Sequence, residues 1–329
     1  MKVVGTFLIL VLLVVGAAWW VYEVPFGPSR ETFVEIPSGT GTVGIAERLE
    51  QGGVIRSGLA FEAYRKFKGG TLKAGEYRFD QAARLGDVYA RIARGDVYTK
   101  AVTIPEGYNI FDIAQAVQQA GLGSAAEFLA AEQRDTALIE DMSPKAQTLE
   151  GFLFPDTYLF SRHATPDQMV AAMVKRFRRE AAQLGLSAAA GSTDIERTVT
   201  LASLIEKEVN VDAERPLVGG VFENRLGTGM PLATDPSVIY AALLNGRWRG
   251  TIYESDLQFD SPYNTYRHAG LPPGPIANPG VAALKAAMHP AETNYLYFVA
   301  DAQGHSQFSV DLKEHARQVQ EYRKAASSH

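Results

Sequence analysis

Residues 194–210 read DIERTVTLASLIEKEVN. Apolar side chains recur here at three- and four-residue spacing, the pattern of a helix with a packed face. Asp194 is a natural N-cap, because its carboxylate can accept from the free backbone N–H groups that open a helix. The interior is so apolar that much of this helix must be buried. Two carboxylates close it, Glu206 and Glu208. At ~100° per residue they point about 160° apart, so they cannot easily share one site as a paired acid and base. Leu201, Leu204, Ile205 and Val209 form one stripe, and Glu208 projects into it. Glu206 lies at the stripe's margin, beside Val199 and Ala202. A margin position suits an acid that faces a groove with apolar atoms behind it, where burial keeps a carboxyl protonated. It equally suits a surface glutamate in a salt bridge beside Lys207. Helical phase does not choose between the two carboxylates.

Downstream, Val221–Leu226 continues a helix, and Thr234-Asp235-Pro236-Ser237 turns or caps a helix over Val238–Leu244. Tyr263-Asn264-Thr265-Tyr266 and Gly270–Ile276 follow, rich in Pro, Gly and polar groups. Such loops are pre-set in shape and hold polar groups at low entropic cost. Amide, hydroxyl and phenol groups there suit a neutral polyhydroxylated ligand, with aromatic platforms for sugar rings. A rigid surface loop is the plainer alternative. A helix over Val281–Met288 and strands at Tyr295–Val299 and Gln307–Val310 complete this part.

Upstream, helices are expected over Ile110–Ala120, Ala125–Arg134 and Pro166–Leu184. Between the last two lies Glu150-Gly151-Phe152-Leu153-Phe154-Pro155-Asp156-Thr157-Tyr158. It reads as a buried connector or as one wall of a sugar-sized groove. The basic run Lys175, Arg176, Arg178, Arg179 reads as a solvated helix face. Arg30 to about Lys100 is a small module of strand (Thr32–Ile36), helix (Thr42–Glu50), helix (Gly58–Lys66) and strand (Gly75–Phe79), with a helix over Asp87–Ala93. Val34–Gly39 and Val102–Gly107 share an Ile-Pro-x-Gly ending, an echo too slight to establish a repeat.

Val3–Tyr22 carries no charge and is about as long as the ~20 residues that cross a bilayer. No small-residue cleavage site follows it; Trp19, Trp20 and Tyr22 suit a lipid–water interface. The expected layout is a cytoplasmic stub and anchor over 1–22, a small module over 23–100 and a larger domain over 101–329. The fold class is α+β. Lys2 on the near side weakly favours export of the body. Among 329 residues there is no cysteine, which excludes thiol catalysis and disulfide staples. A net charge of -5 with interspersed signs argues against nucleic acid as a partner. His268, His289 and His305 lack metal-ligand spacing, and no HExxH, G-x-S-x-G or P-loop pattern occurs, so no metal or cofactor is expected.

Six strings in this order resemble the endolytic murein transglycosylase family, also called YceG-like or MltG. They are Glu150–Tyr158, Leu201–Glu208, Thr234–Pro236, Tyr263–Tyr266, Gly270–Ile276 and Tyr295–Val299. The resemblance implies internal cleavage of peptidoglycan glycan strands between N-acetylmuramic acid and N-acetylglucosamine, leaving a 1,6-anhydro end. It implies a LysM-like small module and a catalytic domain. It maps the catalytic glutamate to Glu206. Asp235, Asn264, Thr265, Tyr266, Glu150 and Tyr158 are then candidates for contact with substrate. Val209 stands where the family usually has threonine. Peptidoglycan synthases are implied partners, with an effect on strand length, at the outer face of the cytoplasmic membrane. Rival readings are a muramidase that leaves a hydrated reducing end, a non-catalytic glycan-binding scaffold, and an adaptor with no glycan affinity.

Overall fold

The computed structural model describes residues 2–186, 194–209, 211–301 and 303–326. Asn210, included in the expected central helix, lies outside them. The chain divides into two compact units, Met1–Lys100 and Ala101–His329.

The first unit opens with α1 (Lys2–Tyr22), a helix apolar around its whole circumference and long enough to cross a membrane. Then come β1 (Thr32–Ile36), α2 (Thr42–Gln51), α3 (Gly58–Lys68), β2 (Gly75–Phe79) and α4 (Leu85–Arg94). β1 and β2 pair antiparallel, with Val34 opposite Tyr77. One face of this ribbon is covered by the apolar faces of the helices. Ile36, Leu49, Phe61, Tyr77 and Ile92 are buried in a single core. Ser57 caps α3 by accepting from Ala60 N–H, and Gly95 ends α4 in the left-handed conformation that glycine adopts without strain.

The second unit is mainly helical. A short pair of strands, β3 (Lys100–Thr103) and β4 (Thr157–Phe160), brackets α5 (Ile110–Gln119) and α6 (Ala125–Arg134). Both helices begin with a capping box, from Asn109 with Asp112 and from Ser124 with Glu127. After α7 (Pro166–Gln183) comes α8 (Ile195–Glu208), capped by Asp194, which accepts from Arg197 N–H at 3.0 Å. Nearly every residue of α8 from Thr198 to Glu206 is buried. It is wrapped by α9 (Arg215–Gly227), α10 (Asp235–Leu244) and, beyond the short α11 (Glu254–Leu257), by α12 (Val281–Met288). The antiparallel strands β5 (Tyr297–Ala300) and β6 (Ser306–Ser309) follow, and then α13 (Leu312–Ala326). The sequence reading assigned no element to α13; its low hydrophobicity hides a helix whose contacts are with β5 and β6.

Ser203 couples α8 to the Pro-rich loop. Its hydroxyl donates to Thr200 O at 2.7 Å and accepts from Ile276 N–H at 3.1 Å. Asn278 joins two further segments. Its amide donates to Tyr108 O and to Glu150 Oε1, and its Oδ1 accepts from Leu153 N–H, at 2.7–3.0 Å. The basic run on α7 is not simply solvated. Arg176 is paired with Asp156 and Glu180 and lies over the Phe154 ring, while Arg178 holds Asp141 and Leu138 O.

Because Asn278 is fully buried, and its loss takes the acceptor from Leu153 N–H and the amide donor from Glu150, Asn278→Ala is expected to destabilise the protein by ~2–4 kcal/mol. Urea unfolding followed by circular dichroism measures this, and a loss below ~1 kcal/mol would remove Asn278 from its linking role.

Candidate active site

The final turn of α8 sends its two carboxylates to different surroundings. Glu206 is buried. Its Oε1 lies 2.9 Å from Arg215 Nη1, and its Oε2 accepts from Gly280 N–H at 3.0 Å. Arg215 is itself buried and also pairs with Asp212 at 2.9 Å. A third carboxyl, Glu106, packs against Gly280, where a Cβ would fall 1.8 Å from its Oε1 and force that side chain to move. Burial and the neighbouring Glu206 raise the Glu106 pKa. Lys207 reaches back to Gly107 O at 3.1 Å. This corner is a clamp that joins α8 to α9, to the start of α12 and to the Pro105–Gly107 turn.

Glu208 lies on the other side, at the wall of a cavity of about 590 Å³. The cavity is also lined by Arg225, Asp235, Tyr266, Tyr297 and His315. Among the described residues, no side chain hydrogen-bonds or ion-pairs with the Glu208 carboxyl. Burial pushes its pKa up to about 7; the nearby Asp235 carboxylate adds to the rise and Arg225 opposes it. Arg225 is fixed by backbone oxygens, with Nε on Leu296 O and Nη1 on Leu232 O, both at 2.7 Å. Tyr266 donates its hydroxyl to Asp235 Oδ1 at 2.7 Å. Burial, then that bond, hold the Tyr266 phenol well above its ordinary pKa. His315 stacks on Tyr297 with ring centroids 5.1 Å apart, and burial and Arg225 lower its pKa. Among the described residues its Nδ1 is buried without a partner. Ala233, in the same wall, is a non-glycine residue with positive φ, a strained conformation of the kind found where a site is shaped.

This placement departs from the sequence expectation at several residues. Glu206 is not among the residues that line this cavity; it is committed to Arg215 and Gly280. Asn264 is fully buried, with its amide donating to Asp256 O, Leu257 O and Phe259 O and its Oδ1 accepting from Tyr266 N–H. Thr265 is buried between Ser237 Oγ and Thr234 N–H. Both shape the loop that carries Tyr266; neither side chain is free to meet a ligand. Glu150 is buried on Ile110 N–H and Asn278. Tyr158 is buried, donates to Phe154 O at 2.5 Å and stacks on Phe160. Glu150–Tyr158 is mainly a buried connector, and at Gly151 (φ +88°) a Cβ would strike Pro275 and Val199. Asp235 and Tyr266 do meet at the cavity, facing Glu208. The far wall comes from β5 and α13, whereas Pro273–Pro275 borders a separate cavity of about 310 Å³ beside Tyr240 and Tyr263. Sequence reading missed Arg225, Tyr297 and His315, and gave Glu208 no role. The available signal was an acid set into an apolar helical stripe, a position that needs a reason.

The chain belongs to the YceG-like family, whose sequence pattern matches residues 34–321. It is 35% identical to the endolytic murein transglycosylase of Bacillus subtilis over 88% of this chain and 84% of that protein. The enzyme of the same description from Streptococcus pneumoniae D39 is 29% identical over 96% of this chain, which spans 64% of that longer protein. A 2.6 Å crystal structure of a YceG-like protein from Listeria monocytogenes superimposes with a TM-score of 0.60 at 31% identity, covering 88% of this chain and 99% of that one.

Three buried acids titrate late. Burial pushes Glu150 up to about 8 and Glu132 and Glu208 up to about 7, from an ordinary 4.5. Between those values the native state holds more protons than the unfolded chain, so stability falls as pH rises from ~4.5 to ~8. Glu150→Gln is expected to flatten this slope, removing about 3 kcal/mol of the decline. Denaturant unfolding from pH 5 to 8 tests it; an unchanged slope would mean Glu150 does not carry the proton.

Proposed function

We propose that this protein is a membrane-anchored endolytic lytic transglycosylase of peptidoglycan, with Glu208 as its acid and base. Membership of the YceG-like family and the endolytic murein transglycosylase activity of its relatives support the reaction class. The observation that carries the residue assignment is the free Glu208 carboxyl at the cavity wall, with a pKa near neutrality. A carboxyl titrating near 7 is protonated often enough to donate and basic enough to take a proton back. Glu206, by contrast, is taken up by its ion pair with Arg215 and its bond from Gly280 N–H.

In the proposed reaction, protonated Glu208 donates to the glycosidic oxygen between N-acetylmuramic acid and N-acetylglucosamine. The bond from the muramyl anomeric carbon to that oxygen breaks, and the departing sugar leaves with a hydroxyl. The Glu208 carboxylate then takes the proton from the muramyl 6-hydroxyl as that oxygen bonds to the anomeric carbon. The product is a 1,6-anhydro ring, no water is consumed, and the single carboxyl is restored. The scheme differs from the paired carboxylates of ordinary glycosidases. Asp235 supplies negative charge close to the developing cationic ring, and Tyr266 holds it in place. Asn264 and Thr265 act through the loop that carries Tyr266.

The β1-α2-α3-β2 order around one antiparallel pair supports a LysM-like reading of the small module, with glycan as its ligand. α1 supports a single membrane span with the body on the extracytoplasmic side, where the enzyme would meet nascent strands, set their length and work beside peptidoglycan synthases.

Product mass analysis on purified peptidoglycan tests the assignment. Glu208→Gln is expected to lower formation of anhydro ends by at least ~10³-fold without loss of fold. Glu206→Gln should lower stability by ~3 kcal/mol, since it leaves the buried Arg215 with Asp212 as its remaining charged partner, yet stay within about tenfold of parental turnover per folded molecule. The opposite ranking would return the acid to Glu206, and hydrated reducing ends from the parent would indicate a muramidase.

The pH profile gives a separate check. Donation needs protonated Glu208, so kcat should decline as pH rises through about 7. Asp235→Asn removes a like charge, lowers the Glu208 pKa and should move that decline to lower pH. A decline unmoved in Asp235→Asn would separate Asp235 from the acid.

A further inference from the structure

We infer that α3 is a second membrane contact, lying in the headgroup boundary of the leaflet in which α1 ends; this rests on α1 being a span. The first observation is an uncovered apolar stripe. Leu59 and Phe67 are 79% and 85% exposed, and Ala63 and Lys66 lie between them on the same face at four- and three-residue spacing. The opposite face of α3 is occupied, with Phe61 buried in the module's core. Two large apolar side chains left to water on one short helix call for an occupant.

The second observation fixes which occupant. The start and middle of α3 are tied to the aromatic end of α1. Arg56, just before α3, donates to the carbonyls of Trp20, Val24 and Pro25 and sits 4.3 Å over the Trp20 ring. Tyr22 donates its hydroxyl to Ala60 O at 3.3 Å and stacks on Tyr64 at 6.2 Å. Trp and Tyr at the end of a span sit at the level of the lipid headgroups. Arg56, Ala60 and Tyr64 are therefore held near that level too. Because Ala60 and Tyr64, one turn apart, both grip Tyr22, α3 runs beside the interface and does not rise directly from it. Leu59 adjoins Ala60, and Phe67 is one turn past Tyr64, so both are within reach of acyl chains. Lys66 and Lys68 at the same end hold no ion pair among the described residues and match anionic headgroups. Apolar side chains on one side with lysines beside them describe an interfacial helix, whose apolar face enters ~5–10 Å into the boundary.

The chain has no cysteine, so Phe67→Cys and, separately, Leu12→Cys each give one site for an environment-sensitive fluorophore. The full-length protein is reconstituted in vesicles of phosphatidylethanolamine and phosphatidylglycerol. At position 67, the expected result is blue-shifted emission, loss of about half or more of the signal to spin-labelled lipid, and iodide quenching about a third of that of the free adduct. Full iodide quenching at position 67 with no effect of spin-labelled lipid, while position 12 is quenched by lipid, overturns the docking and leaves the anchor intact. Absence of lipid quenching at position 12 overturns the span itself, and the docking with it. Phe67→Cys lies on an exposed face, so the variant's fold is checked simply by its unfolding transition against the parent.

Discussion

The ion pair between Glu206 and Arg215 sets the azimuth of the central helix. Both groups are buried, and a buried charge must keep its partner, so breaking the pair costs several kcal/mol. With Glu206 also accepting from Gly280 N–H, the last turn of α8 can take only one rotation. That rotation delivers the side chain two residues on to the opposite side, because successive even positions on a helix lie about 160° apart. Glu208 arrives at the cavity wall as a consequence of where Glu206 is held. The clamp explains why two carboxylates stand so close in sequence without sharing a site.

The cavity shows how a mostly apolar frame tunes one acid. Burial is the largest cause of the raised Glu208 pKa, and Asp235 is the second. Arg225 works against both, but it is spent partly on the carbonyls of Leu232 and Leu296 and offers no direct ion pair to Glu208. Its fixed position keeps the opposing effect modest. The Tyr266–Asp235 bond then holds the second carboxylate at a set orientation. That geometry depends in turn on Asn264, whose two amide N–H groups are shared among three carbonyl oxygens and so hold the loop backbone. The polar residues of this region divide their labour between the ones that face the cavity and the ones that make its wall rigid.

Elsewhere the buried acids are structural. Glu150 accepts from Ile110 N–H and Asn278, and Glu132 accepts from Leu149 N–H, so each satisfies backbone or amide groups of the interior. They share raised pKa values with Glu208 but not its free carboxyl. A shifted pKa alone would not have separated the acid at the cavity from these two; the difference is in the hydrogen-bond partners.

Much of the secondary structure was legible in the chain. The strand at Thr32–Ile36, the helix at Val281–Met288 and the Asp194 cap follow from local periodicity and turn chemistry, which neighbours in sequence dictate. The C-terminal helix was not, because its stripe is sparse and its packing partners are strands formed by other residues. The six strings were enough to point to the YceG-like family. They mapped the catalytic glutamate to Glu206, while helical phase could not decide between Glu206 and Glu208, since an isolated helix has no preferred rotation about its own axis. Nor could they separate Tyr266, which reaches the cavity, from Asn264, two residues before it, which is turned inward. By itself the sequence determined the apolar first helix, the element order and the supply of carboxylates. Tertiary structure decided which carboxylate is paired and which is free, because that depends on Arg215, Gly280 and Asp235, brought to α8 only by the packing of α9, α10 and α12.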